Sequence, residues 1–600
     1  MRRYERRKNG KGHVYWALVE SIRTAQGSRQ KVVAYLGDVK KREQSGWAAL
    51  GRRLDKQDRP APSLFDPPAY AEPADDLALV QIKGVRMDRP RDFGDVWLAL
   101  GLWRLLELDK LLSQRMEAGA EDVPWPVVAA ILTMARFCEP SSELHIADTW
   151  YRRTALEDLL GVTVEQVHHR RLYEGLDALL PHKESLERHL QGRLGDLFDL
   201  KYDLLLYDIT STYFEGQCQG NPMAQRGYSR DSRPDCPQVC IGLVVTTDGI
   251  PLGYEVFDGN TNDSTTIETI VKAMEAKYGA AHRVWVMDRG MVSEKNLAFL
   301  RERNGSYIVG TPKGMLKQFE RHLANKDWHE VQAGVEVKLV PGPDGTETFI
   351  LARSADRREK EKAMHERFTE RMEAGLKQLA TSAEKGTLRD AAMAHQRLGR
   401  LKERYWRASG AFEIKVTPIE KPTGKSKIRR GGARLSITWT RIERWSEWAA
   451  ISEGCYLLRT NLTETDPAVL WKRYIQLTEA EWAFRITKDE LEIRPIWHHK
   501  ENRVKAHILV CFLAYVLWKT LAQWMKAAGL GDAPRTLLME LAKIKSGDVV
   551  LPTTTRAGQP GKTVRVRCVT TPDKAQKVLL NRLGLHLPQH LRYLEEIAKM

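Results

Sequence analysis

The order of strand-like and helix-like runs between Tyr202 and Thr311 constrains the fold most. Runs rich in β-branched and aromatic residues alternate with runs whose apolar positions recur every three or four residues. The predicted order is three strands, a helix, a strand, a helix and a strand, at Tyr202–Tyr207, Val239–Thr246, Pro251–Phe257, Thr265–Tyr278, Arg283–Met287, Ser293–Asn304 and Ser306–Thr311. This order predicts an α/β domain with a mixed sheet, in which parallel strands extend an antiparallel trio.

The ribonuclease H-like fold has this order, and it determines which acidic residues can meet. Asp208 closes the first predicted strand and Asp288 closes the fourth. Those two strands lie side by side in the fold, so both carboxylates are expected at one edge of the sheet. An aspartate at the end of a strand is more often a turn residue than a ligand, so neither is convincing alone.

A third acid lies on a helix predicted from Pro467 to Leu491. Residues at three- and four-residue steps there fall on one stripe, namely Tyr474, Leu477, Thr478, Glu481, Arg485 and Lys488. Taken alone, the stripe is typical of a salt-bridged solvent face. Because the stripe comes after two aspartates at strand ends, in the order of the ribonuclease H-like fold, we interpret it as part of a catalytic helix.

Three carboxylates at one place suit phosphodiester cleavage. In-line attack needs a nucleophile at neutral pH and neutralisation of charge on the attacking and leaving oxygens, which two divalent ions supply. Hard ions such as Mg²⁺ prefer oxygen ligands. We therefore expect Asp208, Asp288 and Glu481 to be both the metal ligands and the catalytic residues.

These motifs resemble those of bacterial DDE-type insertion-sequence transposases of the insertion-sequence-four superfamily. The group is marked by a Tyr-(2)-Arg-(3)-Glu-(6)-Lys signature, which corresponds here to Tyr474, Leu477, Glu481 and Lys488. Leu477 departs from the pattern, and Arg485 is a candidate for the missing cation. The resemblance covers most of residues 200–520 and also includes the segments around Asp208, Asn260–Asp263, Asp288 and Arg494–His498.

The resemblance implies an enzyme that cleaves the ends of an insertion sequence and joins their 3′ ends to target DNA. It implies two Mg²⁺ ions, with Mn²⁺ able to substitute, held by Asp208, Asp288 and Glu481. Tyr474, Lys488 and Arg485 are expected to position DNA phosphates. The partners are the double-stranded DNA of the transposon ends and of the target, and a two-ended reaction implies a homodimer when DNA is bound. Leu477 leaves open whether flanking DNA is released through a hairpin.

Charge supports a nucleic-acid partner. The formal net charge is +16, and residues 1–60 alone contain sixteen Lys and Arg against six Asp and Glu. The segments Arg226–Arg230 and Lys425–Arg434 are further candidates for phosphate contacts. The seven scattered cysteines suit a reducing cytoplasm, and the most apolar run, His507–Trp518, is too short to cross a membrane. We expect a cytoplasmic, nucleoid-associated protein.

Changes in pattern predict seven regions. One of them, the all-helical block at 95–198, is either a DNA-binding region or a scaffold. The regions are a basic β-hairpin module at 1–56, a Pro-rich linker at 57–94, an all-helical block at 95–198, the first part of the ribonuclease H-like core at 199–314, an α+β insertion at 315–466, the catalytic helix and the following helix at 467–530, and a C-terminal region at 531–600.

Three other functions fit parts of the pattern. A metal-dependent nuclease on the same fold would cut DNA without joining strands. A non-catalytic DNA-binding protein derived from a transposase would bind without cutting. A tyrosine recombinase would use Tyr474 as a nucleophile with basic residues such as His498, His499 and Arg503.

Overall fold

The structure is a computed structural model. It describes residues 2–8, 11–24, 27–37, 78–116, 122–200, 202–279, 283–342, 345–388, 390–419, 434–555 and 558–596. Most of the predicted linker, the predicted N-terminal module beyond residue 37 and residues 425–433 of the basic segment lie outside these ranges.

The strands, numbered in chain order, are β1 (Arg2–Lys8), β2 (Lys11–Thr24), β3 (Gly27–Gly37), β4 (Leu79–Val80), β5 (Arg86–Asp92), β6 (Leu204–Tyr213), β7 (Gln238–Val245), β8 (Pro251–Asp258), β9 (Val284–Met287), β10 (Ser306–Gly310), β11 (His329–Gln332), β12 (Val335–Pro341), β13 (Thr348–Ser354), β14 (Phe412–Ile419), β15 (Arg434–Arg441), β16 (Cys455–Thr460), β17 (Lys545–Thr554), β18 (Pro560–Val569) and β19 (His590–Glu596).

The α-helices are α1 (Gly94–Leu105), α2 (Leu108–Arg115), α3 (Trp125–Cys138), α4 (Glu143–His145), α5 (Tyr151–Arg153), α6 (Leu156–Leu160), α7 (His169–Leu179), α8 (Lys183–Phe198), α9 (Ile267–Tyr278), α10 (Glu294–Glu302), α11 (Glu320–Ala324), α12 (Ala355–Glu384), α13 (Ala391–Arg404), α14 (Trp406–Ser409), α15 (Glu443–Ser452), α16 (Pro467–Ile475), α17 (Thr478–Arg485), α18 (Glu501–Ala527), α19 (Pro534–Leu541) and α20 (Lys574–Leu583).

The chain divides into two compact units. The first comprises Met1–Asn262, Thr269–Ala280 and Thr478–Met600, and the second comprises Asp263–Glu268 and Ala281–Leu477. The described strands and helices confirm the predicted α/β class.

In the first unit, β6, β7 and β8 form the predicted antiparallel trio. Helix α18 packs against β8 and against helices α3 and α7 of the N-terminal helical block. The helix is 27 residues long and therefore longer than the apolar run His507–Trp518. By length and composition alone it could cross a membrane. However, 83% of its apolar window is buried inside the protein, and an all-round apolar surface is also what a core helix needs.

The other sheets of the first unit lie at the chain ends. β1, β2 and β3 form an antiparallel sheet, which extends the predicted N-terminal hairpin by one strand. β17 and β18 form an antiparallel hairpin in the C-terminal region, and β19, β4 and β5 add to it. Segments before α1 therefore pair with segments after α19.

In the second unit, six strands follow the order β11-β12-β13-β16-β10-β9. β9 and β10 are parallel, as predicted, and the other pairs are antiparallel, so the sheet is mixed. Helices α12 and α13 form a helical hairpin, and β14 pairs with β15. The sequence pattern of Ala450–Leu458 predicts a strand, but its first part is helical, because α15 continues to Ser452 before β16 begins.

Candidate active site

Asp208 lies in the middle of β6, so its predicted place at the end of the strand was wrong. Across the ladder it pairs with Leu243 of β7. Residues 210–212 continue the strand as Thr-Ser-Thr and are buried. The two threonines are β-branched, which suits a strand even though their side chains are polar. The Asp208 side chain is half-buried, and its Oδ1 accepts a 2.8 Å hydrogen bond from the backbone N–H of Ile209.

Glu481 lies on a short helix that packs on the strand of Asp208. Helix α17 buries Ala480, Ala483 and Phe484, and the helix contacts both β6 and β7. Glu481 itself is exposed. The first unit therefore brings the elements that carry two of the three predicted catalytic acids into contact.

The helix predicted from Pro467 to Leu491 is interrupted, so the prediction of one continuous stripe was wrong. Helix α16 ends in a tight turn in which the Leu477 backbone N–H donates to the Tyr474 carbonyl over 2.9 Å. After α17, the residues Ile486–Glu490 form a π-helical turn. Residues advance by different angles in tight, α-helical and π-helical turns, so sequence spacing alone does not fix which side chains align.

Asp288 directly follows the last residue of β9, as predicted for the fourth strand, and is exposed. It begins a tight turn in which its carbonyl accepts a 3.2 Å hydrogen bond from the Met291 backbone N–H. A second acid lies close to this turn, because a Cβ added at Gly290 would lie 3.1 Å from Oδ2 of Asp263. The end of β9 is thus an acidic corner of the second unit.

Tyr474 lies near the same corner of the second unit. Its helix, α16, packs on β9 and β10. A Cβ added at Gly310, the last residue of β10, would lie 2.9 Å from the Tyr474 hydroxyl and 3.1 Å from the backbone nitrogen of Arg289. Gly310 therefore leaves room for the phenol beside the residue that follows Asp288.

The donor set of the three acids fits a hard divalent ion, because carboxylate oxygens are what Mg²⁺ prefers. Asp208 and Glu481 belong to the first unit and Asp288 to the second. Within the described ranges, no three His, Cys, Asp or Glu side chains are grouped so as to hold one metal ion. The residue types suit a metal site, and the assembly of the three around a metal remains a prediction.

Two family models match the chain. The model described as the transposase DDE domain matches residues 199–517, just over half of the 600-residue chain. The chain belongs to the DDE transposases. The N-terminal domain of the IS1634 family transposases matches residues 1–66. No curated protein matches the chain.

The family identifies this transposase as an enzyme of an insertion sequence. DDE transposase domains generally use divalent metal ions, and DNA is the partner that the family implies. The matched residues 199–517 contain all six predicted site residues.

Lys488 of the transposase is bound by an acid that the sequence analysis missed. Its Nζ lies 2.8 Å from Oδ1 of Asp231, and Arg494 contacts the same oxygen. The Lys488 and Asp231 side chains are 10% and 3% exposed. Burial lowers the pKa of Lys488 below its ordinary value, and the Asp231 carboxylate opposes that shift. Lys488 is thus held within the protein, and its contact with DNA remains a prediction.

The loop between β6 and β7 carries Asp231 and is attached to the strand of Asp208. The Arg230 backbone N–H donates a 3.1 Å hydrogen bond to Oγ of Ser211 in β6. Asp231 lies 257 residues before Lys488 in the chain, in a polar loop with no local pattern that marks its partner. Only the folded chain could reveal this contact.

Arg485 is a cation at the surface, whereas Leu477, at the position of the signature arginine, is a buried apolar residue. The Arg485 side chain is 66% exposed, lies 3.7 Å from Asp489 and stacks over the Trp482 ring at 4.9 Å. Leu477 is 6% exposed and packs as an ordinary apolar residue. The position of the signature arginine is therefore part of the core in this transposase.

A second buried polar network joins the N-terminal helical block to the segment after α17, all within the first unit. Glu143 Oε1 lies 3.3 Å from Nε2 of His498, and both side chains are buried. Arg136 donates to the carbonyl of Glu492 over 3.1 Å. These contacts hold the helical block against the segment that contains Arg494.

Proposed function

We propose that this transposase cleaves the ends of its insertion sequence and joins the freed 3′ ends to target DNA. The packing of the Glu481 helix on the Asp208 strand, in a chain of the DDE family, carries the proposal. We also propose a ribonuclease H-like core with the domain boundaries predicted from the sequence. Two observations support that core: β6, β7 and β8 are antiparallel, and β9 and β10 are parallel.

Asp208, Asp288 and Glu481 are the residues that would hold two Mg²⁺ ions, or Mn²⁺ in their place. Bound ions would neutralise phosphate charge and make water a nucleophile at neutral pH.

The remaining site residues would orient DNA. Lys488 and Arg485 would bind phosphates of the strand being cut, and the Tyr474 hydroxyl would donate a hydrogen bond to a neighbouring phosphate. Asp231 is a positioning residue, since it fixes the Lys488 ammonium group through their 2.8 Å contact.

The proposed reaction has two steps, a hydrolysis and a strand transfer. A water oxygen attacks the phosphorus at the transposon end, the bond from phosphorus to O3′ breaks, and a 3′-hydroxyl and a 5′-phosphate result. That hydroxyl then attacks a phosphorus of target DNA and displaces another 3′ oxygen. No covalent bond to the protein is needed, so Tyr474 is not a nucleophile here.

The contacts of three basic residues disfavour a tyrosine recombinase. His498 pairs with Glu143, the His499 ring lies 3.3 Å from Sγ of Cys218, and Arg503 pairs with Asp177. Each side chain thus has a structural partner.

We expect the transposase to act as a homodimer on paired ends, in the cytoplasm and close to the nucleoid.

An end-joining assay tests the proposal. Purified protein is incubated with labelled duplex from the borders of its own gene, Mg²⁺ and supercoiled plasmid. We expect cleavage at the end and transfer of label to the plasmid, both lost in Asp208→Asn and Glu481→Gln. Glu479→Gln is the matched control, since it makes the same change on the same helix. Cleavage without joining would indicate a nuclease, and equal activity of all variants would contradict the assignment of the acids.

A further inference from the structure

The helical hairpin of the second unit contains a basic groove that the catalytic reaction does not use. A cavity of about 260 Å³ lies between α12 and α13. Gly375, Gln378, Leu379 and Ser382 line it from α12, and Leu401 and three arginines, Arg397, Arg400 and Arg404, line it from α13. The groove therefore has one cationic wall and one uncharged wall.

The packing of the two helices determines where the groove forms. A Cβ added at Gly375 would lie 2.4 Å from Cδ1 of Leu401, so glycine lets the helices approach closely at this point. The apolar side of each helix is buried in the hairpin core, with Met372 and Leu376 from α12 and Leu398 from α13. The arginine side of α13 is left at the surface.

The three arginines lie at three- and four-residue steps, so they share one side of α13. All three are exposed, and no carboxylate among the described residues lies within ion-pair distance of them. Like charges at this spacing repel and destabilise a helix. An unpaired row of cations along a groove is what an anionic ligand would stabilise.

The geometry points to this groove as a binding site for the phosphodiester backbone of a DNA duplex, irrespective of sequence. With a rise of 1.5 Å per residue, Arg397 to Arg404 spans about 10 Å. One strand of duplex DNA presents a phosphate about every 3.4 Å along its axis, so three guanidinium groups cover about three phosphates. Contacts to phosphates alone position a duplex without reading its bases.

The groove adds a second DNA contact to the proposed function and does not depend on the metal site. It lies wholly in the hairpin of α12 and α13. Binding is therefore measured in EDTA, with the catalytic residues unchanged, so that a wrong assignment of the acids has no effect on the result.

The test is the salt dependence of duplex binding by the full-length protein. Anisotropy of a labelled 30-base-pair duplex of unrelated sequence gives the association constant at several KCl concentrations. The main variant is the triple change Arg397→Ala, Arg400→Ala and Arg404→Ala. The matched control removes the same charge from other positions of the two helices, through Lys362→Ala, Lys377→Ala and Lys402→Ala.

We expect the slope of log K against log [KCl] to fall in magnitude by about 2 to 3 in the main variant, at about 0.9 for each lost phosphate contact. The control should change the slope by less than about 1. Replacing the three arginines by lysine should restore the slope while leaving the melting temperature unchanged. A main variant with the wild-type slope would overturn the groove alone, whereas wild-type protein that binds no duplex would overturn both proposals.

Discussion

Two basic regions of the transposase differ in whether their cations have partners. Lys488 and Arg494 contact one buried carboxylate, that of Asp231. Arg397, Arg400 and Arg404 lie exposed along the groove between α12 and α13. The first set stabilises the fold and orients one lysine, and the second is suited to a ligand from outside. Positive charge in a sequence does not by itself distinguish these two roles.

The largest expected effect is that of Asp231→Ala. Removing the shared carboxylate leaves two cations without a partner, one of them nearly buried, and such a loss costs about 3–5 kcal/mol. We expect the free energy of unfolding to fall by this amount, measured on the first transition of a urea titration. Asp235→Ala is the control in the same loop, since Asp235 forms an exposed pair with Arg233 and its loss should be much less destabilising. Equal effects of the two changes would show that Asp231 does not have this role.

An intermediate effect is expected from pH, through the second buried network. Burial lowers the pKa of His507, and the charges of Arg136 and His498 lower it further, while Glu143 opposes the shift. Below the ordinary histidine value the unfolded chain therefore takes up a proton that the folded chain does not. Stability is then lost as pH falls from about 6.5 to 5, at about 1.4 kcal/mol per pH unit once below the ordinary value.

Urea titrations at pH 7, 6 and 5 measure this loss. The matched variant is His507→Gln, which keeps a polar side chain beside the Ile493 carbonyl that His507 contacts over 3.1 Å. We expect the variant to be less stable at pH 7 and to show a flatter dependence on pH. Parallel curves for the two proteins would mean that His507 is not the group responsible.

The smallest expected effect on stability is that of the groove. Changing Arg397, Arg400 and Arg404 to alanine removes no ion pair from the described residues, so the unfolding free energy should change by less than about 0.5 kcal/mol per position. Thermal melting of the full chain measures it. A large loss would place these arginines with Lys488 and Arg494 among the structural cations.

The sequence predicted the strands of the core closely, because runs of β-branched and apolar residues between turn signals have few alternatives. It failed at Asp208, where the polar run Thr210–Thr212 suggested a loop but pairs with β7. It also failed at Leu477, where a single tight turn divides the predicted helix. Asp231 was missed because its partner is distant in the chain, and no local spacing reports such a contact.

The central claim is that Asp208, Asp288 and Glu481 act together as metal ligands, and Asp288→Cys tests it most directly. A thiolate is a poor ligand for Mg²⁺ and a better one for softer ions. We predict that cleavage in Mg²⁺ falls by more than about 100-fold, because even groups that only orient a metal ligand cost about 10–100-fold when removed. Mn²⁺ should restore part of the activity of Asp288→Cys, and Asp356→Cys, exposed at the start of α12, should cleave normally in both ions. Normal cleavage by Asp288→Cys in Mg²⁺ would contradict the claim.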